Sequence, residues 1–174
     1  MQIYKILSAL LEYPEQELLD HLPEIRVEIG NSPDVDMAEK DALRKLLDHM
    51  ANTPSTELQA DYVKTFDLTP EHSLHLTHHL FGDDNDKNRG PALIDLGELY
   101  KDSGMKLTTN ELPDYLPLIL EFAALKDGNE AMEFLSDANK VLTTLTNNLV
   151  KANSPYAPLL SIVKSRSTPA LLAA

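Results

Sequence analysis

Apolar residues recur along this chain at steps of three and four. Ile3, Ile6, Leu7, Leu10 and Leu11 keep one face of a helix apolar and stop before Pro14, which predicts a first amphipathic helix. Glu15 to Ile29 continues helically, with Pro23 as a break or a new start. After the Asn31-Ser32-Pro33 loop, Leu43, Leu46, Leu47 and Met50 mark a third helix ending near Asn52, and Leu58, Tyr62 and Phe66 mark the next, with Pro54 at its start. Thr69-Pro70 predicts the cap and first turn of a short helix from Glu71 to about Phe81, ended by Gly82. Residues 82 to 90 carry no apolar side chain, which predicts an exposed loop.

The helical period resumes at Leu93, Leu96, Leu99 and Tyr100 and lasts until Gly104. Leu116, Ile119, Leu120 and Ala123 form another stripe, with Asp114 as the expected N-cap and Pro117 in the first turn. Ala131, Leu135, Ala138, Leu142, Leu145 and Leu149 alternate steps of four and three, which predicts one long packed helix. A short helix from Tyr156 to Ser165 follows, and the tail beyond Pro169 is expected to be loose. The expectation is all-α: one helical bundle of eight to nine helices over residues 1 to 168, with 169 to 174 as tail. Leucine occurs 31 times against 13 for valine and isoleucine together, which points the same way.

Composition narrows the function classes. The chain has no cysteine, so it carries no disulfide, thiolate metal site, iron–sulfur ligand or cysteine nucleophile. A formal charge of −13 with no basic stripe argues against nucleic acid and allows a cationic partner. The apolar run from Ile3 to Leu11 is followed by Glu12 rather than a cleavage site, and no stretch approaches the roughly 20 apolar residues of a membrane span. A cytoplasmic protein is expected.

Three constellations could carry chemistry. His72, His75 and His79, with His78 beside them, share one face if residues 71 to 81 are helical, a spacing open to a divalent metal or to a regulatory role. Neighbouring Cβ atoms on one helix splay, and H-E-x-x-H is missing, so a polar face using imidazoles as hydrogen-bonding groups is favoured. Asp84, Asp86 and Asn88 match oxygen positions of a calcium loop, but Arg89, Pro91 and Asp95 stand where that loop needs glycine, an open backbone and glutamate. Phosphate-binding glycine loops and a nucleophile elbow are missing too, so no enzyme is expected. The third is Glu111-Leu112-Pro113-Asp114-Tyr115-Leu116-Pro117, a rigid corner with an acidic rim. From Glu111 to Glu133 six acids face one lysine, a local charge able to draw in a basic amphipathic segment, although an ordinary loop-to-helix junction with a solvated face accounts for the same residues and is favoured on them alone.

Tyr62-Val63-Lys64-Thr65-Phe66, then Glu111 to Pro117 and Leu120-Glu121-Phe122, together resemble the NarJ branch of the TorD/DmsD redox-enzyme chaperones. The stretch from Leu68 through Arg89-Gly90 to Leu96-Gly97-Glu98-Leu99-Tyr100 has the same look. The wider family's Y-x-x-L-F and E-P-x-D-H elements are altered here at Thr65, Pro113 and Tyr115, as suits the nitrate reductase branch. The nucleotide binding suggested for the wider family is not carried over. The resemblance implies a chaperone that binds the N-terminal segment of a nitrate reductase catalytic subunit until molybdenum cofactor is inserted; no cofactor of its own is expected, and a monomer is the default, with domain swapping open through the loop at residues 82 to 90. Candidate contact residues are Tyr62, Phe66, Asp67 and His75 on one side, Glu111, Pro113, Asp114, Tyr115 and Glu121 on the other, with Arg89 as an anchor or loop clasp.

Overall fold

A computed structural model describes residues 2–82, 86–106 and 110–168. Its organising element is α8 (Leu116–Ala124), in which Glu121 is the single side chain outside the buried set. A helix apolar all round must sit inside other helices. Against it lies α1 (Gln2–Leu11), whose Ile3, Tyr4, Ile6, Leu7, Leu10 and Leu11 are buried. Ser8, the polar residue on the same face, gives its hydroxyl hydrogen to the Pro117 carbonyl at 2.9 Å. A polar group in the core is thereby partnered rather than stranded.

Around this pair stand α2 (Gln16–Asp20), α3 (Leu22–Asn31), α4 (Met37–Asn52), α5 (Ser55–Tyr62), α6 (Leu76–Phe81), α7 (Arg89–Asp102), α9 (Gly128–Ser136), α10 (Asn139–Lys151) and α11 (Ala157–Arg166). The fold is all-α, with eleven α-helices among the described residues where eight to nine are expected. The excess comes from splits rather than new elements. Pro23 opens α3 and separates it from α2.

The long stripe from Ala131 to Leu149 is one seam on two helices, α9 and α10. At the break, the Ser136 hydroxyl bonds back to the Glu133 carbonyl at 2.7 Å, and Asn139 Nδ2 donates to Ser167 Oγ at 2.7 Å. Such side-chain bonds compete with continuation of the helical ladder. No described helix is long and apolar enough to cross a membrane. The tail after Thr168 and the calcium-loop position Asp84 lie outside the described residues.

The start of α4 and the end of α11 are clamped together. Asp36 and Glu39 form a reciprocal capping box, and Glu39 also takes two bonds from Arg166 of α11, at 2.8 Å from Nε and 2.6 Å from Nη2. The same guanidinium donates to the Asp34 carbonyl at 2.6 Å. Both side chains of the pair are largely shielded, so truncating one leaves the other poorly solvated. Arg166→Met is expected to cost about 2 kcal/mol, read as a lowered urea midpoint at unchanged slope.

Candidate functional site

The segment expected as one helix over 71–81 is broken in the structure. Pro70–His72 makes a single 3-10 turn, Ser73 to His75 is extended, and α6 begins only at Leu76. The cause is a two-bond bridge: Leu76 N–H donates to the Asp114 carbonyl at 3.1 Å, and Leu116 N–H donates to the Leu74 carbonyl at 2.9 Å. Leu74 and Leu76 therefore face the core, and His75 between them faces outward beside Tyr115, ring centroids 5.3 Å apart.

This geometry removes the common histidine face. His79 bonds the Ser73 carbonyl at 2.8 Å, His75 turns to Asp114 and Glu111, and His72 is buried elsewhere. Among the described residues no group of three or more His, Asp or Glu side chains is placed to hold a metal ion.

Asp114 is not the N-cap of α8; Tyr115 holds that position without a side-chain cap bond. Its carboxylate instead caps α6 from across the fold, accepting from Thr77 N–H at 2.9 Å and the Thr77 hydroxyl at 2.5 Å, with His75 Nδ1 3.3 Å away. Asp114 is 1% exposed and so cannot touch a partner. Burial pushes its carboxyl up, but the bonds from His75 and Thr77 outweigh this and hold it below its ordinary value.

Arg89 Nε donates to Thr77 Oγ1 at 3.1 Å, which fastens the start of α7 behind the same carboxylate. Pro113 lies against Gly97, and its carbonyl accepts from the buried Tyr100 hydroxyl at 2.8 Å. Desolvation keeps that phenol protonated. Tyr100→Phe is expected to lose about 1 kcal/mol and to loosen α7, seen as faster amide exchange there than in α8.

The remaining candidates except Glu121 meet at one opening. Tyr62, Phe66, Asp67, His75, Glu111 and Tyr115 line a cavity of about 160 Å³ with Tyr13 and Leu74. A π-turn over Val63–Asp67 follows α5, and the Tyr62 and Phe66 rings pack tilted at 57° with centroids 4.9 Å apart. Both rings are buried, so they form a wall rather than an outer surface. The Tyr62 hydroxyl donates to the Leu11 carbonyl at 2.8 Å and lies 3.2 Å from the Tyr115 hydroxyl. Desolvation first, then Glu111, Glu12 and Asp67, push Tyr115 up to about 12, so its proton stays in place at neutral pH.

Through Tyr13, Glu111 and Tyr115 this cavity joins a wider depression of about 690 Å³, with Ala9, Leu18, Ile25 and Leu118 as apolar lining and Glu12, Glu15 and Glu17 among its acids. Through Ala9 and Glu12 it joins a third, of about 290 Å³, that holds Glu121, Lys5 and Leu125. Three neighbouring depressions thus form a grooved surface along the outer flank of α1, and Glu121 stands at the far end from His75. Desolvation, followed by the carboxylates of Glu121, Glu15 and Glu111, pushes the Glu12 carboxyl above its ordinary value.

Glu12, Tyr13, Glu15, Glu17 and Thr77 are absent from the residues singled out by sequence. One signal for the three glutamates was present: from Lys5 to Arg26 there are five acids and neither lysine nor arginine between. Thr77 had none, because its partner lies 37 positions away.

A family model described as nitrate reductase delta subunit matches residues 32–161. The chain is 35% identical over 158 residues to the nitrate reductase molybdenum cofactor assembly chaperone NarJ of Escherichia coli (strain K12), covering 91% of this chain and 66% of that one. It therefore spans just under two thirds of that relative's length. It is 33% identical over 166 residues to a Bacillus subtilis (strain 168) protein named "Probable nitrate reductase molybdenum cofactor assembly chaperone NarJ", covering 92% of this chain and 85% of the other. A crystal structure from Archaeoglobus fulgidus, described as a redox enzyme maturation protein, shares the fold at a TM-score of 0.69 and 19% identity, covering 94% of this chain and 91% of its own. With the matched model spanning most of the chain, and the relatives 33–35% identical over nine tenths of it, the chain belongs to the nitrate reductase delta subunit family and is of NarJ type.

Proposed function

We propose that the chain is an assembly chaperone, not an enzyme, that works in the cytoplasm as a monomer. It holds the N-terminal segment of a nitrate reductase catalytic subunit in the groove along α1 until molybdenum cofactor has been inserted. One observation carries this reading: three neighbouring depressions share an apolar lining and a rim of Glu12, Glu15, Glu17, Glu111 and Glu121. That surface fits an amphipathic helix with a basic edge, its apolar face on Ala9, Leu18, Ile25 and Leu118. Apolar contact supplies affinity, and the clustered carboxylates speed encounter and fix orientation.

Asp114, Thr77 and Arg89 act from behind, holding the His75 and Tyr115 end of the groove in shape without touching the peptide. Tyr62 and Phe66 form the closed wall of that end.

The test is co-purification of the tagged chain from its native cells. A large nitrate reductase subunit is expected to come down with it, and a subunit lacking its first segment is expected to be lost. Retention of the truncated subunit at full strength would place recognition elsewhere.

A further inference from the structure

The His75 end of the grooved surface has a chemistry of its own. Its cavity of about 160 Å³ is walled by the rings of Tyr13, Tyr62, Phe66 and Tyr115. Tyr13 stands at 89° to Tyr62 with centroids 5.6 Å apart, and Phe66 is tilted 57° to Tyr62. Aromatic walls set at such angles turn electron-rich faces toward a common space, which attracts a cation. Lysine and arginine are missing from the lining, where Asp67 and Glu111 supply two carboxylates. Among the described residues the one ammonium over an aromatic ring is that of Lys126, on Phe122.

The hydrogens of this lining are already used. The Tyr62 hydroxyl gives its single hydrogen to the Leu11 carbonyl at 2.8 Å, so in the 3.2 Å contact between the two hydroxyls Tyr115 is the donor. Desolvation pushes both phenols up, so both stay protonated at neutral pH. His75 Nδ1 lies 3.3 Å from the Asp114 carboxylate, which fixes a hydrogen on that nitrogen. In the neutral ring Nε2 is then an acceptor, and at 3.6 Å it faces an oxygen of Glu111, another acceptor. The exposed Asp67 side chain takes no hydrogen bond and no ion pair among the described residues.

The lining therefore offers acceptors: two carboxylates, the Tyr115 oxygen and His75 Nε2. A group that fits them brings several donors and a positive charge together, as an ammonium or a guanidinium does. The volume falls below the roughly 300–1,000 Å³ of small-molecule sites, so it suits the end of one side chain rather than a whole ligand. The wider depression shares Tyr13, Glu111 and Tyr115, so a helix resting there has the cavity within side-chain reach.

We propose that this cavity anchors one cation of the client, the end of a lysine or arginine side chain, between the Tyr13 and Tyr115 rings and the Asp67 and Glu111 carboxylates. The proposal rests on the groove reading above and makes Tyr13 and Asp67 residues that select the client. Titration of the full chain with n-butylguanidinium and n-butylammonium, followed by NMR at Tyr13, Asp67 and Tyr115, tests the cavity without the client. Saturable shifts are expected with at least one of them and none with n-butylurea, which has the guanidinium's shape without its charge. Asp67→Asn and Tyr13→Leu change exposed side chains, so the melting temperature is expected to hold while cation binding weakens about fivefold in each. No saturable shift with either cation, equal binding of n-butylurea, or unchanged binding in both variants overturns the proposal.

The client peptide separates this proposal from the groove reading. One replacement of lysine by norleucine, or of arginine by citrulline, is expected to cost the wild-type chain about fivefold in affinity and Asp67→Asn little. A peptide that binds, with every such replacement costing both proteins equally, overturns the anchor and leaves the groove. Saturable binding of the small cation with no binding of the peptide keeps the cation site and ends the groove reading.

Discussion

Replacing Asp114 by alanine is expected to lower the stability of the chain by about 3 kcal/mol, the largest effect predicted for any single substitution here. The change takes one acceptor away from the Thr77 N–H, the Thr77 hydroxyl and His75 together, inside a site that is 1% exposed. For a domain of this size the loss shifts the melting temperature by about 6–12 °C. Peptide affinity should fall with it, because His75 and Tyr115 lose the strut that sets their positions. Asp114→Asn keeps the shape and supplies the pH control. The folded carboxyl is held below its unfolded value, so its contribution is complete above about pH 4 and is lost as pH falls through the folded value. In that acid window the wild-type chain should lose stability more steeply than Asp114→Asn.

The second large effect concerns binding and spares the fold. Glu12→Lys, Glu111→Lys and Glu121→Lys together reverse the charge of the groove from one end to the other. Each exposed charge contributes about 1 kcal/mol or less, and the three together about 3 kcal/mol, which is about 100-fold in affinity for a basic peptide. Added salt should shrink the difference. The folded chain already penalises ionised Glu12, since desolvation and three carboxylates raise its pKa. Stability opposed in this way is regained as pH falls through the raised value, and at neutral pH Glu12→Gln should leave the melting temperature unchanged or higher. Unchanged affinity of the triple variant for the basic peptide would show that the acidic rim is not the contact.

Much of the architecture was legible as period alone. The stripes of α1 and α4 needed no tertiary information, because each helix buries the face its apolar residues define. The misreadings differ in cause. At His72 to His75 backbone bonds to distant residues replace the next turn of helix, and local spacing carries no trace of them, whereas the break before Asn139 comes with the Ser136 side chain bonding back three residues. Leu74-His75-Leu76 did hold a short alternation of the extended kind, too brief to weigh against the helical pattern on either side.

The corner from Glu111 to Tyr115 drew attention through its prolines and acids, and the structure divides it by depth. Glu111 lies on the groove, Tyr115 half-buried in its side, and Asp114 inside the protein. Sequence showed the residue types but not which way the corner is turned. The acids that follow the first helix were hidden for the opposite reason. Glu12, Glu15 and Glu17 look like ordinary solvated positions until Glu111 and Glu121 are brought beside them.

The central claim, that this groove grips a client's N-terminus, is tested most directly by calorimetric titration of the purified chain with a synthetic peptide. The peptide carries the first residues of the nitrate reductase catalytic subunit from the same cell. Saturable 1:1 binding is predicted, weakened about 100-fold in the Glu12, Glu111 and Glu121 triple reversal while the melting temperature holds. No binding by the wild-type chain, or equal binding by both proteins, would contradict the account.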